Sequence, residues 1–176
     1  MIQNLTNVSK TIIISSMTLV IISLLFSPYE VNGRSMQPTL EDGDKVLVLR
    51  LNYYINLPLI DQKIIINQPK KDSIIAFKKK NSETELIKRV IGLPNEEIDI
   101  KNRTVFIDGI IQEQGIGVTN PNSDFPIMVD ENCVFVLGDN RNLSNDSRAF
   151  GCVPVEQIDG ELAVRIWPIN KLQLFR

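Results

Sequence analysis

Ser35 and Lys88 are the side chains of this chain that could carry out covalent chemistry without an imidazole. Its 176 residues include no histidine. That excludes Ser-His-Asp and Cys-His nucleophilic sites and zincin-type metal helices. Cys133 and Cys152, the two cysteines, cannot close a structural zinc site without other ligands. Proton chemistry must then run on carboxylates, lysine, tyrosine or metal-bound water. Ser35 lies in Gly33-Arg-Ser-Met-Gln-Pro-Thr-Leu40. There Gly33 gives backbone freedom, hydrophobic Met36 flanks the serine, and Pro38 stiffens the exit. A catalytic serine needs such a turn, with an amide aimed at the developing oxyanion. Taken alone, the segment reads equally as an ordinary serine-containing turn.

A lysine acts as a base only if its ammonium loses a proton near neutral pH, which requires desolvation among apolar groups. Lys88 is the lysine set in such a run, Leu86-Ile-Lys-Arg-Val-Ile91. Strand alternation groups it with Leu86 and Val90, and puts Ile87, Arg89 and Ile91 on the other face. An edge-strand lysine that blocks aggregation is the competing reading. Lys78, Lys79 and Lys80 read as solvated. The stretch from Leu137 to Gly151 is a dense polar loop with opposite charges at Asp139/Arg141 and Asp146/Arg148. It is either a solvated hairpin loop or one ordered by side-chain bonds to its own backbone. Its D-x-[DN] spacing resembles a calcium loop, but Phe150 stands where the last acidic ligand belongs. No metal and no cofactor are expected.

The elements that must position these groups are mostly strands. Lys45–Arg50, Ser73–Phe77 and Leu86–Ile91 are short apolar or β-branched runs with polar borders. Glu97–Ile100 alternates, and Thr104–Ile107 leads through Asp108-Gly109, a hairpin-turn dipeptide, into Ile110-Ile111. Asn132–Leu137 and Glu161–Trp167 complete the set. Residues 55–71, with Pro58 and Pro69, read as a loop carrying one weak strand, and residues 112–130 as a long irregular excursion. The pattern predicts an all-β, antiparallel barrel-like or sandwich domain.

Ahead of it, Ile12 to Phe26 carry no charge and span about 23 Å as a helix. Extended toward Tyr29, the run reaches bilayer length. The expectation is one uncleaved transmembrane anchor over 11–29, following a tail of 1–10 and preceding a domain of 30–176. A removed signal peptide is the competing reading, although no small-x-small cut site follows. Flanking charge leaves the orientation open. The balance of 21 acidic against 19 basic residues, without a long basic run, gives no reason to expect nucleic acid as a partner.

Taken together and in order, the motifs resemble those of the bacterial type I signal peptidases. They are Gly33-x-Ser35-Met36-x-Pro38-Thr39-Leu40, Gly43-Asp44-x-Val46, Lys88-Arg89-Val90-Ile91-Gly92-Leu93-Pro94 and Gly138-Asp139-Asn140-Arg141-x-x-Ser144-x-Asp146-Ser147-Arg148-x-x-Gly151. The resemblance implies a membrane-bound serine endopeptidase that removes signal peptides from exported preproteins after small-x-small sites, through an acyl-enzyme. It implies Ser35 as nucleophile and Lys88 as general base. Ser144 would hold the Lys88 amine by a hydrogen bond, while Asp139 with Arg89 and Asp146 with Arg148 would brace the site. It also implies a β-domain with a small inserted β-region, here about 97–130, and a single-anchor form with the N-terminus cytoplasmic and the domain extracytoplasmic. Signal peptides, membrane lipid and a nearby secretion translocon would be its partners.

Two positions depart from some relatives. Gly33 stands where a hydroxyl residue can complete the oxyanion hole, and the chain has one anchor rather than two. Val31, Met36, Leu86 and Ile87 are the candidates for shallow substrate pockets, or else core residues. Cys133 and Cys152 are expected as two buried free thiols. A catalytically silent binding relative would lack Ser35 or Lys88, and both are present. A specialised Ser-Lys peptidase remains the enzymatic alternative.

Overall fold

The computed structural model describes residues 2–50, 54–57, 62–65, 67–79, 84–112, 115–117, 120 and 124–175, without the side chains of 2–8, 54–57 and 62–65. Lys80 and Pro58 lie outside the described residues, as do parts of the 112–130 excursion. Helix α1 (Ile2–Leu25) runs straight into strand β1 (Phe26–Glu30). Pro28 has no amide hydrogen and disfavours a helical residue before it, so the chain extends here. Phe26 to Tyr29, the end of the expected segment 11–29, pair with Leu49 to Val46 in a sheet. Ile12, Ile13, Ile14, Met17, Leu19, Val20, Ile21, Ile22 and Leu24 leave α1 exposed all round. From Ser9 to Leu25 the helix is about 25 Å long. Among the described residues, no helix is long and apolar enough to cross a membrane.

The strands of the remaining described residues pair antiparallel. They begin with β2 (Lys45–Leu49), β3 (Tyr54–Leu57), β4 (Gln62–Ile65), β5 (Ile74–Lys78), β6 (Glu85–Gly92), β7 (Glu97–Lys101), β8 (Thr104–Ile107) and β9 (Ile110–Gln112). After these come β10 (Ile127–Met128), β11 (Cys133–Leu137), the short helix α2 (Ser147–Phe150), β12 (Val153–Pro154), β13 (Ile158–Trp167) and β14 (Gln173–Leu174). The main sheet has the order β1-β2-β13-β5-β6-β11-β12, with β14 beside β13. Among the described residues β1 and β12 have no second neighbour, so the sheet is open rather than a closed barrel. Pro28 suits β1 to an edge, where a missing donor costs no ladder bond. β3 and β4 form a two-stranded hairpin where a single strand was expected.

The inserted β-region is a four-stranded sheet, β10-β7-β8-β9. Its centre is the hairpin signalled by alternation and Asp108-Gly109, with Ile98 opposite Ile107 and Ile107 opposite Ile110. Ile98, Ile100, Val105 and Ile107 pack on Ile91, Phe135 and Leu137, which fastens the inserted sheet to β6 and β11. A second cluster, with Ile75, Phe77, Val90, Val134 and Val136, fills the main sheet, and a third gathers Val31, Met36, Leu40, Val46, Ile74 and Leu162. At about 25 cal/mol per Å² of apolar surface, these clusters supply the main favourable free energy of the fold.

Cys133 and Cys152 are joined in a disulfide with Cα atoms 5.6 Å apart, which corrects the expectation of free thiols. The register Cys133↔Pro154 and Val134↔Val153 brings the two together, through a pairing of β11 with β12 that spacing alone does not reveal. The bridge closes a sequence separation of 19 residues; restricting a loop of that size in the unfolded chain stabilises the native state by about 3 kcal/mol. Replacing both cysteines by serine is expected to lower stability by about that amount, read as a fall in the urea midpoint with a steeper slope, since the uncrosslinked unfolded chain exposes more surface.

Candidate active site

The turn that carries Ser35 sits on an apolar plug. Met36 and Leu40 are fully buried in the third cluster, and Leu40 N–H closes a turn to Met36 O at 2.9 Å. The backbone of Ser35 is therefore fixed from below. Gly33 has φ +95 and its N–H donates to Asp42 Oδ1 at 2.6 Å. That left-handed geometry strains any residue with a Cβ, so the absence of a hydroxyl here follows from the backbone.

Lys88 enters from β6. It is 3% exposed, and its Nζ donates to Ser35 Oγ at 2.8 Å and to Ile87 O at 2.9 Å. Burial pushes the ammonium down to about 8, while Asp146 and Asp139 act in the opposite direction. The alternation read from sequence is visible in the packing. Leu86 and Val90 join one cluster, Ile87 and Ile91 the others.

The polar loop is folded inward rather than solvated. Asp146 is fully buried, and Arg148 meets it through two bonds, Nε to Oδ1 at 2.8 Å and NH2 to Oδ2 at 2.9 Å. Arg148 also donates to Arg141 O, and Asp146 Oδ2 accepts from Gly138 N–H at 3.0 Å. Asp139 forms a second bidentate pair with Arg89, both bonds 2.7 Å, and accepts from Thr39 Oγ1 at 2.5 Å. Of the charge partners suggested within the loop, Asp139 thus pairs with Arg89 and not with Arg141. Such two-bond pairs fix orientation as well as distance.

Ser144 is placed differently from the expectation. Its hydroxyl makes no bond to Lys88 and is buried without a hydrogen-bond partner. It packs on Gly138, where a Cβ would strike both the Ser144 side chain and Ser35 O. Gly138 is needed for that close approach. The Lys88 amine instead takes its second bond from its own strand.

Val31, Met36, Leu86 and Ile87 all border one groove of about 420 Å³, which Ser35, Lys88, Pro28, Tyr29, Glu30 and Glu85 also line. Val31 and Met36 also belong to the buried cluster beneath, so groove wall and core are the same side chains. Sequence reasoning overlooked a third buried pair, Asp44 with Arg165 at 2.9 Å. Arg165 also donates to Thr39 O at 3.1 Å, holding the chain just after Ser35. Asp44 stood within a quoted motif, but its partner lies far along the sequence and carries no local signal.

Residues 5–167 match the family described as signal peptidase, peptidase S26. The chain is similar to a probable signal peptidase I-2 of Synechocystis sp., 33% identical over 141 residues, covering 80% of this chain and 62% of that protein. It therefore spans about three-fifths of that relative's length. It is similar to signal peptidase IB of Staphylococcus aureus, 30% identical over 171 residues and covering 85% and 82% of the two chains. Thylakoidal processing peptidase 1 of Arabidopsis thaliana is 30% identical over 166 residues, covering 90% of this chain and 48% of that one. A crystal structure of a signal peptidase I from Enterococcus faecalis superposes with a TM-score of 0.46 at 31% identity, over 56% of this chain and 99% of that chain. With a family match over most of its length and a relative at this identity across both chains, the protein belongs to the signal peptidase family, peptidase S26, a family of serine proteases.

Proposed function

We propose that the chain is a Ser-Lys endopeptidase that removes signal peptides from exported preproteins. The observation that carries this reading is the 2.8 Å approach of a buried lysine amine to Ser35 Oγ in the lining of a groove. In the neutral state Lys88 accepts the Ser35 proton as Oγ attacks the scissile carbonyl. The Ser35 amide is the donor for the oxyanion, since position 33 brings no hydroxyl. The protonated amine then gives its proton to the leaving nitrogen, and the C–N bond breaks to leave an acyl-enzyme. Water, deprotonated by the same lysine, releases the acyl group and restores Ser35. General-base assistance of this kind contributes about 10²–10⁴-fold, and a donor aimed at the oxyanion a comparable factor.

A shallow groove walled by Val31, Met36, Leu86 and Ile87 supports a preference for small residues at the first and third positions before the cut. Larger side chains are refused by overlap with a wall that is also core and cannot yield. The all-round exposure of apolar side chains on α1 supports its burial in lipid as a single anchor. The N-terminus would be cytoplasmic and the β-domain extracytoplasmic, where the Cys133–Cys152 disulfide persists. Membrane lipid and a nearby translocon are the partners this arrangement calls for.

Cleavage of a detergent-presented Ala-x-Ala peptide after the second Ala is expected for the wild type. Ser35→Ala is expected to lose about 10⁴-fold or more while its melting temperature stays unchanged. Lys88→Arg should be equally inactive, because guanidinium does not deprotonate; near-normal turnover of that variant would sink the dyad. The neutral amine gains population as pH rises, so kcat/KM should climb about tenfold per pH unit below pH 7. It should bend near pH 8, where burial has placed Lys88, and be flat above. A rise continuing beyond pH 10 would contradict a desolvated base.

A further inference from the structure

The inserted sheet does more than pack on the domain. Three residues between its strands β9 and β10, Gly115-Ile116-Gly117, lie against the turn that carries Asp139, Asn140 and Arg141. Ile116 N–H donates to Asp139 O at 2.7 Å and Ile116 O accepts from Arg141 N–H at 2.9 Å, a parallel bridge opposite Asn140. On its other side the same turn grips the nucleophile, since Asn140 N–H donates to Ser35 O at 2.9 Å. The backbone of Asn140 is thus held between Ile116 and Ser35.

Side chains make the fit one of close contact. Gly115 has φ +102, and a Cβ there would lie 2.6 Å from Nε of Arg141, a residue only 5% exposed whose Nε donates to Gly138 O at 3.2 Å. Gly117 has φ +87, and its Cβ would lie 2.6 Å from Nδ2 of Asn142. Both glycines meet a backbone requirement, and Gly115 also faces the buried Arg141 side chain.

We propose that Gly115-Ile116-Gly117 is a positioning clamp for the catalytic serine, acting through Asn140 on the carbonyl of Ser35 and through Asp139 on Arg89, the neighbour of Lys88. This rests on the Ser35–Lys88 reading. None of the three residues borders the groove, so the clamp acts on turnover and not on peptide binding. A small misplacement of a nucleophile costs a large factor in rate, because attack needs atoms already aligned.

The test compares full-length Gly115→Ala with Gly109→Ala. Gly109 lies in the β8–β9 turn of the inserted sheet, has φ +78, and a Cβ placed on it would meet nothing within 4 Å. The two variants share the backbone strain, and only the first strikes Arg141. Gly115→Ala is expected to lower kcat at least tenfold with KM within about twofold of wild type. It should also speed amide exchange in both 33–40 and 138–142, and Gly109→Ala should do neither. Equal kcat in the two variants, or faster exchange across the whole core of Gly115→Ala, would overturn the clamp. If the wild type cleaves no peptide, the Ser-Lys reading fails by itself. The exchange data then decide the clamp alone: a response at 33–40 supports it, and no response overturns it.

Discussion

A lysine ammonium gives up strong hydration when it is buried, and this site depends on making that loss nearly complete without filling the space with counter-charge. Lys88 has two carboxylates close enough to matter, Asp146 and Asp139. Left unpaired, they would hold the amine charged and useless as a base. Each is instead matched by its own guanidinium, Arg148 and Arg89, through two bonds. Nearby opposite charge raises a lysine and burial lowers it, and every tenfold change in proton affinity corresponds to about 1.4 kcal/mol. Pairing the carboxylates elsewhere lets burial win.

The same arginines serve as backbone ties. Arg89 donates to Asp72 O, Arg148 to Arg141 O and Ser144 O, and Arg165 to Thr39 O and Lys171 O. Guanidinium offers several donors in a fixed plane, so one side chain can neutralise a carboxylate and hold a loop together. Buried pairs of this kind add little net stability over apolar packing, but removing one partner strands the other at a cost of about 3–5 kcal/mol. They make the loop geometry unforgiving. That suits a site in which Ser35, Lys88 and the 138–148 turn come from separate parts of the chain.

Much of this was legible where the signal is local. The β7–β8–β9 hairpins followed from alternation and Asp108-Gly109, and Lys88 stood out as a cation in an apolar strand. At Phe26–Tyr29 an uncharged stretch of strand directly continues the uncharged final turns of the helix, so lack of charge alone does not mark where the helix ends. Strand β13 begins at Ile158, ahead of the expected Glu161, because Asp159-Gly160 reads as a break while its neighbours on β5 hold it extended. The disulfide, the Asp44–Arg165 pair and the docking of Ile116 depend on contacts between distant segments. No periodicity reports those. The Ser144–Lys88 bond came from resemblance alone, and the Lys88 amine bonds elsewhere.

Helix α1 joins β1 without a spare residue: Leu25 is the last helical position and Phe26 the first paired one. A flexible linker would let Ser35 sample a range of heights above the helix end, with an effective concentration set by linker length. Here β1 instead spans about 17 Å of hydrogen-bonded strand, and its register with β2 leaves no slack. On the proposed Ser-Lys reading the joint acts as a caliper, gauging a peptide by how far its scissile bond lies from the helix as well as by the size of its side chains.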